Sequence, residues 1–224
     1  MATTPEDPFM DERQLRIYQA LAARHSDLAS MYRSALRLLS QPAEGGDERT
    51  RISHICHSMR EVMNRVLGVM GSTAGPRIKP SSGRQVQSLP DLLSRFPDLD
   101  LSADGEFIPV PREVAAVFHT LIRTAAQEKR RSRDDVASLL TDDSNSDHVA
   151  VTRWIEARDF FVRWAHLQDH AAEPSDLPDD VVIGGHVAIF DELFDAVITV
   201  FFERRHTIDD LLAEINAPVE EDRG

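Results

Sequence analysis

The longer apolar runs of this chain are all helical in period, with apolar residues returning at steps of three and four. Between Asp11 and Ser40 the stripe is Leu15, Tyr18, Ala22, His25, Ala29, Tyr32, Leu36 and Leu39. It predicts one long helix, because the stripe runs unbroken through His25, although Ser26 has the side chain to cap a second helix. After the short linker QPAEGG, a second stripe of Ile52, Ile55, Cys56, Met59, Val62, Met63, Val66 and Met70 runs to Gly71. A linker that short makes the two helices an antiparallel hairpin. Residues 71–88 hold the longest stretch without a period, a loop rich in Gly, Pro and Ser. Pro90 to Leu93 predicts a short helix, and Phe107 to Val110 reads as a connector, since prolines at 109 and 111 oppose a strand ladder.

Pro111 opens the next helix, with Val114, Val117, Phe118, Leu121, Ile122 and Ala125 on one face down to about Arg131. Residues 134–140 either extend it or form a short helix of their own. The helix expected over Val149–His170 is apolar on two faces. Val151, Trp154, Ile155, Phe161, Val162 and Ala165 make one, and Phe160, Trp164 and Leu167 the other, so it should be central. A polar ribbon of Asp159, Arg163, His166 and His170 runs between them, and Arg158 falls inside the first apolar face, where a guanidinium needs a partner such as Asp191, Asp195 or Glu61. Residues 181–204 predict another helix, and Thr207 caps a last short one over Ile208–Asn216. The fold expected is all-α, a helical bundle of about five long helices and two or three short ones. The domain should span 11–216, with 71–110 as an irregular insert, a disordered tail at 1–10 and a frayed one at 217–224.

Composition narrows the function. The net charge of −13 opposes nonspecific binding to nucleic acid and to anionic membranes, so neither DNA nor a membrane is expected as a partner. The run Lys129-Arg130-Arg131-Ser132-Arg133 and the loop residues Arg77, Lys79 and Arg84 lack interleaved aromatic residues and read as solvated loop or helix-end charges. Cys56 is the single cysteine, which excludes an internal disulfide and a cysteine metal cluster. The acidic N-terminus has no apolar core of a signal peptide, and the chain reads as cytoplasmic.

Histidines carry the remaining candidate chemistry. In chain order, His25, His57 with Glu61, His166 with His170, and His186 with Asp191 resemble the ligand set of haemerythrin-type di-iron bundles. Geometry opposes that reading, because His57 and Glu61 fall opposite the stripe centred on Met59. The pairs Arg49/His54, Arg51/His57, Arg112/His119 and Arg163/His170 resemble the Arg–His spacing of HEPN-type RNases, the higher-eukaryote-and-prokaryote nucleotide-binding superfamily. Arg158-Asp159 has the polar residue that the family carries after its Arg, but its next histidine is too far, at a gap of seven. The segments His57–Val66, Arg158–Leu167 and Phe190–Asn216 are similar to uncharacterised bacterial helical proteins of HEPN-like organisation from defence or toxin-related settings. The resemblance to HEPN-type RNases implies a metal-independent endoribonuclease in which His166 and His170 move protons and Arg163, assisted by Arg158, stabilises phosphate charge. The chain offers no Gly-rich phosphate loop, nucleophile elbow or HExxH. The leading expectation is therefore a non-enzymatic interaction or regulatory protein that meets a protein partner or a second copy of itself and needs no cofactor. RNA is a partner only under the RNase alternative.

Overall fold

The computed structural model describes residues 8–43, 45–70, 78–166 and 177–215, with 201–215 described by the path of the helix alone. The described residues form α-helices and no strand: α1 (Glu12–Ala22), α2 (Ser26–Ser40), α3 (Glu48–Val69), α4 (Ser82–Gln87), α5 (Leu89–Leu93), α6 (Arg112–Leu140), α7 (Val149–Trp164) and α8 (Asp180–Ile215). The all-α expectation holds, with two redistributions of length. The expected first helix is broken into α1 and α2, and the two expected last helices are one.

The break has a tertiary cause. Asp11 caps α1 by accepting from the Gln14 N–H at 2.8 Å, and the Gln14 side chain accepts from the Asp11 N–H in return. At the other end His25 is extended, and its N–H closes on the Leu21 carbonyl at 2.7 Å. Arg24, placed at the corner, donates to the Val69 carbonyl and so caps the end of α3. Ser26 opens α2 as its first residue, while His25 holds the cap position without a side-chain bond. At the far end of α2, Arg51 of α3 donates to the carbonyls of Leu38 and Leu39 and makes a bidentate pair with Asp180 at 2.8 and 2.9 Å. One guanidinium thereby joins the end of α2, the start of α3 and the start of α8.

The core is shared by α1, α2, α3, α7, α8 and the end of α6. The α3 stripe is buried as expected, from Ile52 through Val66. On α7 the buried residues are Val151, Trp154, Ala157 and Phe161, followed by Ala165. Val162, expected on that face, is 41% exposed. Its second face is only half-buried, where Phe160 stacks on His186 of α8 with ring centroids 3.9 Å apart. Trp154 packs on Phe190, and Phe190 on Tyr32 and Phe194, so α7, α8 and α2 meet in one aromatic stack. The pairs Arg153–Glu192, Trp154–Phe190 and Phe160–His186 run in opposite senses along α7 and α8, which are antiparallel. α7 ends at Trp164, six residues before the expected His170.

Residues 78–131 stand apart from this core as an arm. Ser82–Gln87, expected to be loop, is helical because Ser81 accepts from the Arg84 N–H and caps it. α4 then lies on the middle of α6 through polar bonds: Gln85 donates to the Thr124 hydroxyl at 3.0 Å, and Ser82 donates twice to Glu128. Leu92 and Val114 are its buried large apolar side chains, and both lie outside the main core. α6 is a single helix to Leu140, so Lys129–Arg133 sits in mid-helix rather than at a helix end. There Arg133 donates to the Ser146 carbonyl and begins the contact with the bundle. No helix among the described residues is long and apolar enough to cross a membrane.

Candidate functional site

Of the four residues expected to form a nuclease site, Arg158, Arg163 and His166 lie among the described residues, and each meets different neighbours. Arg158 turns toward α6, donating to the Ser132 hydroxyl at 2.7 Å and to its own neighbour Asp159 at 3.1 Å. The partners expected for it are engaged elsewhere: Asp191 by Tyr32 and Gln14, Asp195 by Arg13 and Arg16, Glu61 by Arg60 and Arg65. Arg163 is exposed, its guanidinium carbon 5.5 Å from the centroid of the Trp164 ring. His166 lies just past the end of α7 and faces α3. His170 lies outside the described residues.

His166 meets Arg60, a residue that the spacing arguments passed over. Arg60 Nη1 is 3.1 Å from His166 Nε2, and Nη2 is 3.3 Å from His57 Nδ1 and 2.9 Å from Glu61 Oε1. The other carboxylate oxygen of Glu61 accepts from Arg65 Nε at 3.1 Å. The Arg60 side chain is 16% exposed, and its Nε is buried with no hydrogen-bond partner among the described residues. The Arg60 guanidinium, with Arg65 behind it, holds the Glu61 carboxyl below the usual range for a glutamate. Two helices build this seam. α3 supplies His57, Arg60, Glu61 and Arg65 at helical spacing on its outer face, and the Ser53 hydroxyl bonds the Ala165 carbonyl at 2.8 Å, fixing the end of α7 against it. His57 and Glu61 do share the face opposite the core, as their spacing implies, but each bonds to an arginine rather than to the other.

Among the described residues the other histidines and acids do not converge. His25 holds the start of α2, and His186 is stacked between α7 and α8, with burial lowering its pKa. Asp191 is buried, accepting from the Tyr32 hydroxyl at 2.7 Å and from Gln14 Nε2 at 3.0 Å. Burial raises its carboxyl from the ordinary 3.8 to about 6, against the pull of those two donors. Burial and the neighbouring carboxylate push the Tyr32 phenol up as well. Among the described residues no group of three or more His, Cys, Asp or Glu could hold a metal ion.

Two further features lie on the surface. A half-open cleft of about 380 Å³ lies between the ends of α3 and α6, the start of α7 and the middle of α8, with Leu139, Leu140, Leu193 and Val197 in its lining beside the polar Thr141 and Asp142. The arm exposes Phe107 at 84%, Ile122 at 69%, Val86 at 50% and Leu101 at 44%. Charge divides along the same line. Residues 78–131 carry eight basic and seven acidic side chains, a net +1, whereas the other described residues carry 15 basic and 22 acidic side chains, a net −7.

Compared with protein families, with curated proteins and with solved structures, the chain shows no significant similarity to any.

Proposed function

We propose that the protein works by protein–protein contact, with the arm as its contacting surface and a second copy of the chain as its partner. The observation that carries this reading is the arm itself. It is joined to the bundle through α6 and held together mainly by polar bonds. It leaves four large apolar side chains in solvent, including the ring of Phe107 and the side chain of Ile122, where the described residues of the bundle expose only valines. The partner follows from charge and shape. Two bodies whose described residues each carry a net −7 repel each other, whereas the near-neutral arm approaches a second body at little electrostatic cost. The cleft at the far end of α6 has Leu139, Leu140, Leu193 and Val197 in its lining and so offers a receptor for Phe107 or Ile122. Two copies exchanging arms about a twofold axis bury both features at once and close the assembly. Concentration-dependent amide exchange tests this. Protection over 78–131 is expected to rise between about 2 and about 200 µM as the arm becomes covered. Exchange in the arm that is identical at both concentrations would remove the arm from the contact.

A further inference from the structure

We propose that the α3–α7 seam around Arg60 binds a single phosphate group of a small molecule. The site is independent of the arm and its partner. Its hydrogen bonds determine what faces outward. An arginine cannot accept, so His166 Nε2 and His57 Nδ1 must both be acceptors toward Arg60. Each neutral imidazole then carries its proton on the other ring nitrogen, and both histidines are exposed. The seam therefore presents two imidazole N–H donors, fixed in tautomer by one guanidinium, and beside them the 58% exposed Arg65.

Glu61 shows where an anion would sit. Its carboxylate spans Arg60 and Arg65 with N–H···O bonds of 2.9 and 3.1 Å, the arrangement two arginines make with a phosphate oxygen pair. It acts as an internal competitor, so a ligand must displace or share it, and affinity for inorganic phosphate should fall in the millimolar range. The net −7 on the described residues of the bundle selects the size of the ligand. One phosphate feels chiefly the local cations, whereas a polyanion would lie along repelling surface beyond them.

The test is a titration of the full-length protein with inorganic phosphate to about 50 mM at pH 7.5 and constant ionic strength, read from the imidazole ¹H–¹⁵N signals of His57 and His166. Both should shift together and saturate with one Kd. Glu61→Gln should tighten that Kd by about fivefold, the upper end for a partly exposed ion pair. Arg60→Gln should abolish saturation, and Arg163→Gln should change nothing. Should Arg60→Gln fold poorly, Arg65→Gln, altered at a mostly exposed position, should weaken binding severalfold. Shifts that do not saturate, or a Kd unchanged or weakened in Glu61→Gln, would overturn the proposal. So would a 20-nucleotide RNA that binds at these histidines more tightly than phosphate does, which would favour a nucleic-acid site instead.

Discussion

Replacing Tyr32 by Phe removes one hydroxyl from the centre of the bundle and should reveal the buried carboxylate it supports. In the wild type the Asp191 carboxyl titrates near 6, against 3.8 when unperturbed, because burial outweighs the donors Tyr32 and Gln14. A carboxyl with a raised folded-state pKa binds a proton in the native state before it does so unfolded. Its contribution to stability is therefore unfavourable at pH 8 and improves as pH falls through 6, levelling off below 3.8. The difference between those pKa values corresponds to roughly 3 kcal/mol. The hydroxyl at 2.7 Å is one of the two bonds that keep the ionised form tolerable. Its loss at pH 8 deprives a buried charge of a donor and should cost about 2–3 kcal/mol. At pH 4.5 the native carboxyl is neutral, and the same loss should cost about 1 kcal/mol. Urea unfolding of both proteins at pH 8 and pH 4.5 gives the two differences. Other titrating groups, including Glu61 with its lowered pKa, are common to both proteins and cancel. A Tyr32→Phe cost equal at the two pH values would refute an ionised Asp191 held by this hydroxyl.

Arg51→Ala should destabilise by about 2–4 kcal/mol in chemical unfolding, since it strips a 10% exposed guanidinium from two carbonyls and from Asp180 at once. A loss under about 0.5 kcal/mol would mean that the three helix ends are held by packing alone. Gln85→Ala should loosen the arm without loosening the bundle. Amide protection should drop over α4 and the neighbouring turns of α6 while the α3 and α7 amides keep theirs, because Gln85 ties Thr124 and the Pro80 carbonyl inside the arm. A parallel fall in α3 protection would show that arm and bundle open as one unit.

The sequence made the stripes legible and left the junctions hidden. α3 could be read residue by residue because Ile52 through Val66 recur at helical spacing and all face one core. α7 was legible on one side, where Val151, Trp154, Phe161 and Ala165 are buried. Ala157 completes that face, however, and Val162 falls off it. The break after Ala22 has one local signal, Ser26, which the apolar period continuing through His25 outweighs; in the fold Arg24 at the corner reaches Val69, 45 residues away. The join in α8 shows the reverse, a capping sequence at Thr207 that terminates nothing inside a continuous helix. At the seam, His57, Glu61 and His166 were visible as types. Arg60 was not singled out, because its meaning depends on the end of α7 arriving beside it. Its position three after His57 was the one local clue. The Gln14–Tyr32–Asp191 network was out of reach of any spacing argument, since its members come from three helices separated by up to 177 residues.

Sedimentation equilibrium tests the central claim most directly, with wild-type protein and a Phe107→Asp/Ile122→Asp double variant measured up to about 100 µM in low and high salt. The arm-exchange account predicts a wild-type mass approaching twice the 25.2 kDa of the chain, and a variant that stays at the single mass because two carboxylates replace its exposed apolar contacts. Wild type that remains at 25.2 kDa throughout, or a variant that associates as strongly as wild type, would contradict it.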